Sequence, residues 1–151
     1  MPRMAKAHRL RLGRVSQAGA IYSVTLACYQ KQALFADFYS GRCFVKGLKE
    51  VESQADTLCF VVMPDHVHWL FQLSEKASLS VVVQKVKSIT RKEWGRQMLS
   101  HQPLWQRGFY DRAIRAEKDI LPIARYIVAN PVRANLVKRV GDYPLWDAIW
   151  L

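Results

Sequence analysis

Cysteine is scarce in this chain: Cys28, Cys43 and Cys59 are the three in 151 residues. Their number is odd, no Cys-x-x-Cys occurs, and each sits among apolar neighbours. That excludes a disulfide framework and a thiolate zinc site, and predicts buried thiols in a reducing cytoplasm. Acidic residues are also few, 12 against 23 Lys and Arg, which leaves a formal net charge of +11. A surplus of this size points to a polyanionic partner, nucleic acid ahead of a membrane surface. No apolar run approaches the ~18 residues that a membrane span needs. The basic opening, MPRMAKAHRLRLGR, is not followed by the apolar stretch of a signal peptide. Internal repeats and low-complexity blocks are absent.

What is present suits a compact domain. Half the residues are hydrophobic and 11% are aromatic. At this length such a chain can bury about 70% of its unfolded surface. We read residues 1–151 as one domain, with 1–14 as a basic arm and 133–151 as a mixed tail broken at Pro144. The arm holds five basic residues and no acid; Arg9, Arg11 and Arg14 are candidate phosphate contacts.

Hydrophobic periodicity orders the elements. Ala20 to Tyr29 alternates and is rich in β-branched and aromatic residues, as a strand should be. Phe44 to Gln54 has helical spacing. Thr57 to Val62 and His66 to Leu73 read as two strands across the break Met63-Pro64-Asp65, which suggests a hairpin. Leu79 to Met98 reads as a long helix with Leu79, Val82, Val83, Val86 and Ile89 on one face and Ser78 as its cap. Leu104 to Ile114 is irregular to extended. Ala116 to Ala129 reads as a helix that stops at Asn130-Pro131, since a residue before proline disfavours the α region. The order strand, helix, strand, strand, helix, extended segment is the split βαβ pattern. It predicts an α+β, ferredoxin-like (RRM-like) antiparallel sheet with helices on one face, the opposite face open, and a C-terminal helix carrying Tyr126.

Three groups of residues can do chemistry. His66-Val67-His68 places two imidazoles on one face of a strand, with Val67 on the other. Two neutral imidazoles can hold one divalent cation; an exposed polar pair is the plain alternative. The chain has four histidines, and two are here. Asp65 is adjacent, but alternation turns it away from His66, so it receives no role. Tyr126 has Asn130 four residues later on the same helix face. A tyrosine oxygen can attack phosphorus, and an amide oxygen can ligate Mg2+ or Mn2+; a core aromatic before a helix end is the alternative. Lys85, Lys87, Arg91, Lys92 and Arg96 lie off the apolar stripe of the long helix, as a solvated face or a phosphate track. Trp94, Trp105, Phe109 and Tyr110 follow, as base-stacking rings or as core.

Taken together, these stretches resemble the single-tyrosine HUH, or IS200-like, transposases, and more closely the REP-associated tyrosine transposases. The resemblance rests on VVMPDHVHWLF (61–71), QKVKSITRKEW (84–94), LWQRGFYDRAIR (104–115) and YIVANPVRANLV (126–137). GAIYSVTLACYQKQALF (19–35) and DYPLWDAIW (142–150) match more loosely. Where relatives carry an arginine after the first strand, this chain reads Tyr29-Gln30-Lys31-Gln32.

The resemblance implies a metal-dependent endonuclease and strand transferase. Such an enzyme nicks single-stranded DNA beside a REP-like hairpin through a 5′-phosphotyrosine. It implies Tyr126 as nucleophile, His66 and His68 as the metal pair, Asn130 as a further ligand and Mg2+ or Mn2+ as cofactor. It also implies a bacterial cytoplasmic protein working at the nucleoid, a monomer completed in cis, with a homodimer as the other arrangement. Two further readings stand beside it. One is a non-catalytic, domesticated hairpin-binding protein on the same fold. The other is an RNA-binding module, which would place paired aromatics rather than histidines on the sheet face.

Overall fold

The computed structural model describes residues 19–150. Its centre is a five-stranded antiparallel sheet in the order β4-β1-β3-β2-β5. The strands are β1 (Ile21–Ala27), β2 (Ala55–Met63), β3 (His66–Leu73), β4 (Tyr110–Ile114) and β5 (Trp146–Ala148). The helices are α1 (Phe38–Glu50), α2 (Leu79–Met98), α3 (Ile120–Val128) and a short α4 (Asn130–Arg133). β3 lies in the middle, with β1 and β2 bonded to its two edges.

Alternation sorts the sheet into two apolar faces. Val24, Leu26, Val67, Trp69 and Phe71 point to one side and form the larger core with Phe44, Leu48, Val82, Val83 and Val86 of α1 and α2. Ile21, Val61, Leu70 and Ile114 point to the other side and pack with Ile120, Ala124 and Ile127 of α3. A bulge between Thr57 and Cys59 inserts a residue in β2, so Leu58 and Cys59 both join the second core. All three cysteines are buried and free, and burial pushes the Cys28 and Cys59 thiols up to about 12. They are packing residues.

The expected elements are present, with shifted ends. α1 starts at Phe38, earlier than apolar spacing indicates, because the Asp37 carboxylate accepts from the Tyr39 and Ser40 amides at 3.0 and 3.2 Å. α2 has the predicted span, but the Ser78 side chain makes no cap bond to the backbone and lies 3.3 Å from Ser80 Oγ. The last helix breaks at Ala129 as the proline signal requires, yet it does not stop there. Pro131 sits in the first turn of α4, where a missing N–H is harmless, and the chain turns on to Arg133. The helices are not confined to one face either: α1 and α2 cover one, and α3 lies on the other over β2, β3 and β5. Only the strip over β1 and β4 keeps the expected open face. Among the described residues, no helix is long and apolar enough to cross a membrane.

α1 and α2 approach closely at Gly47. A Cβ there would lie 2.6 Å from Thr90 Oγ1 and 3.3 Å from the Val86 carbonyl oxygen. Thr90 cannot turn aside freely, since its buried hydroxyl donates to that carbonyl at 2.7 Å. Gly47→Ala is expected to destabilise the fold by roughly 1–3 kcal/mol through overpacking. Urea denaturation of the variant beside the parent checks this; an unchanged midpoint would show that the helices can part without cost.

Candidate active site

The site begins with the pleat of β3. Val67 is fully buried between the sheet and the long helices, so His66 and His68 project to the α3 side. Their rings meet edge to face, with Nε2 atoms 3.2 Å apart. Each ring is held from behind. His66 Nδ1 lies 2.7 Å from Asp65 Oδ1, and His68 Nδ1 lies 3.0 Å from Thr25 Oγ1. A carboxylate only accepts, so Nδ1 of neutral His66 carries the proton and its Nε2 presents a lone pair. Thr25 can hold His68 in the same tautomer. At this distance one Nε2 can donate a proton to the other, or, with both rings protonated at Nδ1, both can turn lone pairs toward one cation. The pair therefore fits a shared divalent cation, with a carboxylate behind one ligand as metal-binding histidines commonly have.

Burial, the neighbouring His66 and the charge of Arg133 together lower the His68 pKa to about 4. His68 is thus a neutral imidazole at neutral pH, the form that can offer a lone pair to a metal. Among the described residues, no group of three or more His, Cys, Asp or Glu converges.

Asp65 corrects the strand argument. It belongs to the Pro64-Asp65 turn between β2 and β3, where side chains do not alternate, and its carboxylate reaches back to His66.

Tyr126 projects from α3 with 61% exposure, so it is not a core aromatic. Arg133 stacks its guanidinium 3.6 Å from the Tyr126 ring centre and donates Nη2 to the Tyr126 carbonyl at 2.6 Å. Asn130 donates Nδ2 to the Ile127 and Tyr126 carbonyls at 3.1 and 3.4 Å. Tyr126 and His68 line one cleft of about 460 Å³, together with Ser23, Thr25, Tyr110 and Ile123.

The basic residues divide. Lys85 and Lys92 are exposed on α2, and half-buried Arg91 lines a second groove of about 500 Å³ with Tyr29, Gln106 and Arg107. Lys87 lines the same groove as Arg91, but its amine is engaged by the protein itself. It is buried, and its Nζ donates to the Gln106 and Gly108 carbonyls, both at 3.0 Å, so it ties the 104–108 loop to α2. Trp94 is core, Trp105 donates to the Lys87 carbonyl and Phe109 packs on the core; Tyr110 alone of these four rings is exposed. Arg9, Arg11 and Arg14 lie outside the described residues.

The family described as "Transposase IS200 like" matches residues 21–130. This chain is an IS200-like transposase by family. It is 33% identical over 86 residues to a REP-associated tyrosine transposase of Escherichia coli, a match covering 56% of this chain and 49% of that one. A Haemophilus influenzae protein of the same named type is 30% identical over 99 residues, covering 59% of this chain and 56% of the relative. The chain thus spans about half the length of these two relatives. The solved structure of a REP-associated tyrosine transposase bound to a REP hairpin superposes with a TM-score of 0.68 at 25% identity, over 85% of this chain and 76% of that one. The matched region of the transposase runs from β1 to Asn130, and so contains the histidine pair and Tyr126.

Two outcomes follow from this geometry. Lys87→Met should cost roughly 1–3 kcal/mol of stability, because two carbonyls lose their donor, and should leave the salt dependence of hairpin binding unchanged. Arg91→Ala should instead make the slope of log K against log salt shallower by about one. Salt titrations of both variants separate these roles; a shallower slope for Lys87→Met would return it to the phosphate track. The second outcome concerns acid. Unfolded His68 takes a proton near its ordinary 6.5, whereas folded His68 does so only at about 4. The stability its burial allows is complete above about pH 6.5 and falls as pH drops toward 4, by at most roughly 3 kcal/mol. Denaturation in chelator at several pH values should show this loss in the parent and its reduction in His68→Gln; equal slopes would contradict it.

Proposed function

We propose that this chain nicks and rejoins single-stranded DNA beside a hairpin, with Tyr126 as the nucleophile. The observation that carries this reading is the cleft shared by exposed Tyr126 and His68, whose ring pairs with His66 and is held from behind by Thr25. The hairpin comes from the structural neighbour, which is bound to one, and from the net charge of +11.

His66 Nε2 and His68 Nε2 would hold Mg2+ or Mn2+. Asn130 is the proposed further ligand, since its Nδ2 is engaged with helix carbonyls and Oδ1 remains to accept an ion. Such an ion would polarise a non-bridging oxygen of the scissile phosphate. Asp65 fixes the tautomer and direction of His66, and Thr25 does so for His68. Arg133 holds the Tyr126 ring face and keeps a positive charge beside the reacting phosphate. Tyr126 Oη attacks phosphorus in line and a P–O bond breaks. The departing 3′ oxygen gains one proton for the one the phenol loses. The products are a 5′-phosphotyrosine and a free 3′-OH, and attack by that hydroxyl, or another, reverses the step. No nucleotide triphosphate is needed, because the phosphodiester energy stays in the covalent link. Since Tyr126 and His68 of one chain line one cleft, a monomer can bring the tyrosine and an imidazole together in cis. A DNA substrate places the reaction in the cytoplasm, at the nucleoid.

The experiment is adduct formation on labelled single-stranded hairpin DNA with Mn2+, read on a denaturing gel. The parent should form a DNA-linked band. Tyr126→Phe should bind and form none, since it loses one oxygen and keeps the ring. His66→Ala, His68→Ala and excess chelator should abolish the band while leaving much of the binding. Hairpin binding by the parent without any adduct would contradict catalysis and favour a non-catalytic hairpin-binding protein.

A further inference from the structure

The strip of sheet that α3 leaves uncovered continues directly from the histidine pair. In register across the sheet, Tyr110 of β4 faces Thr25 of β1, and Thr25 faces His68 of β3. One row on, Arg112 faces Ser23, which faces Leu70. Leu70 belongs to the α3-side core, so Tyr110, Arg112, Thr25 and Ser23 share the face that carries His68. Tyr110 stands two strand spacings from His68, about 10 Å.

This strip is unlike the rest of that face. Under α3 the rows are closed by Cys59, Val61, Ile120 and Ala124. Over β1 and β4 the floor is two half-buried hydroxyls, one wall is Pro122 and Ile123, and Tyr110 stands opposite at 81% exposure. A large aromatic ring left open on an edge strand beside a polar floor gains nothing from packing. A flat ring laid between Tyr110 and the Pro122–Ile123 wall would bury both. Arg112 adds a planar donor at the rim, with no carboxylate within ion-pair distance among the described residues.

We propose that this strip is a nucleobase subsite. It takes the one unpaired base of single-stranded DNA that flanks the phosphate at His68, with Tyr110 stacking on its face and Arg112 meeting its edge. The inference rests on the proposed function for the position of the phosphate. The stacked base sets which nucleotide lies next to the cleaved bond, so the strip determines specificity.

The test couples the protein side chain to one base. Binding is measured for a labelled DNA hairpin with a short single-stranded flank, and for a series in which each flank base in turn is abasic. Parent, Tyr110→Ala, Tyr110→Phe and Arg112→Ala proteins are compared. Tyr110→Ala should weaken binding by roughly 10–100-fold, the effect of losing one stacked base, and Tyr110→Phe should restore it, because stacking needs the ring and not the hydroxyl. One abasic position should weaken the parent to the same extent and cost Tyr110→Ala nothing further; Arg112→Ala should lose affinity at that same position. Equal affinity of Tyr110→Ala and parent, or losses that multiply at every abasic position, would overturn the proposal. The adduct assay keeps the two readings apart. A Tyr126 adduct without the Tyr110 coupling removes the subsite and leaves the nuclease. Coupling without any adduct leaves the base site standing and removes the catalytic reading.

Discussion

Two imidazole nitrogens face each other at 3.2 Å, each ring anchored through its other nitrogen. At that separation the rings can hydrogen-bond to each other or share one cation. Much of the surrounding structure serves to hold it. β3 must be a central strand, because Thr25 can reach His68 only from a bonded neighbour. Val67 must be deeply buried, so that the strand cannot slip by one residue and exchange its faces. The β2–β3 turn must be short enough for Asp65 to bond back onto His66. The backbone supports that turn from outside: the Cys28 amide donates to the Asp65 carbonyl, and the Phe35 amide to the Pro64 carbonyl, both at 2.9 Å.

The C-terminal helix brings the other half of the chemistry to this fixed point. Ile120, Ala124 and Ile127 seat α3 on the sheet and leave Tyr126, one residue away from the buried stripe, to project into the cleft. The break at Ala129 and the helical turn through Pro131 then carry the chain on for one more turn. Arg133 comes back over Tyr126 from seven residues on, about two helical turns. Its guanidinium stacks on the Tyr126 ring, and beside burial and the neighbouring His66 its charge helps lower the His68 pKa, so it acts on both halves of the site. Lys87 plays a quieter part by holding the loop that leads into β4 and Tyr110.

The fold class and the placing of both histidines on one strand face were legible because each follows from a short period. Alternation placed His66 and His68 together, helical spacing defined α2, and Tyr126 was marked by the asparagine and proline that follow it. What was not legible depends on contacts between distant segments. Thr25 lies 43 residues from the ring it supports, and no local pattern connects them. Asp65 was misread because strand alternation was extended into a turn. Lys87 has the composition of a solvated helix face, and only the packing of the 104–108 loop turns it into a buried tether. Arg133 lies beyond a proline that ordinarily ends a helix, so spacing arguments stopped short of it. The second face of the sheet was expected to be open because the split βαβ pattern accounts for two helices and is silent about a third.

The account's central claim is that Tyr126 is the group that becomes joined to DNA, and peptide mapping of the adduct tests it most directly. Trypsin cuts after Arg125 and Arg133, so Tyr126 falls in the peptide YIVANPVR, while Tyr110 falls in GFYDR. The account predicts that after nuclease trimming the added 5′-phosphonucleotide mass is found on YIVANPVR and on its tyrosine. The same mass on GFYDR, or on any peptide other than YIVANPVR, would contradict it.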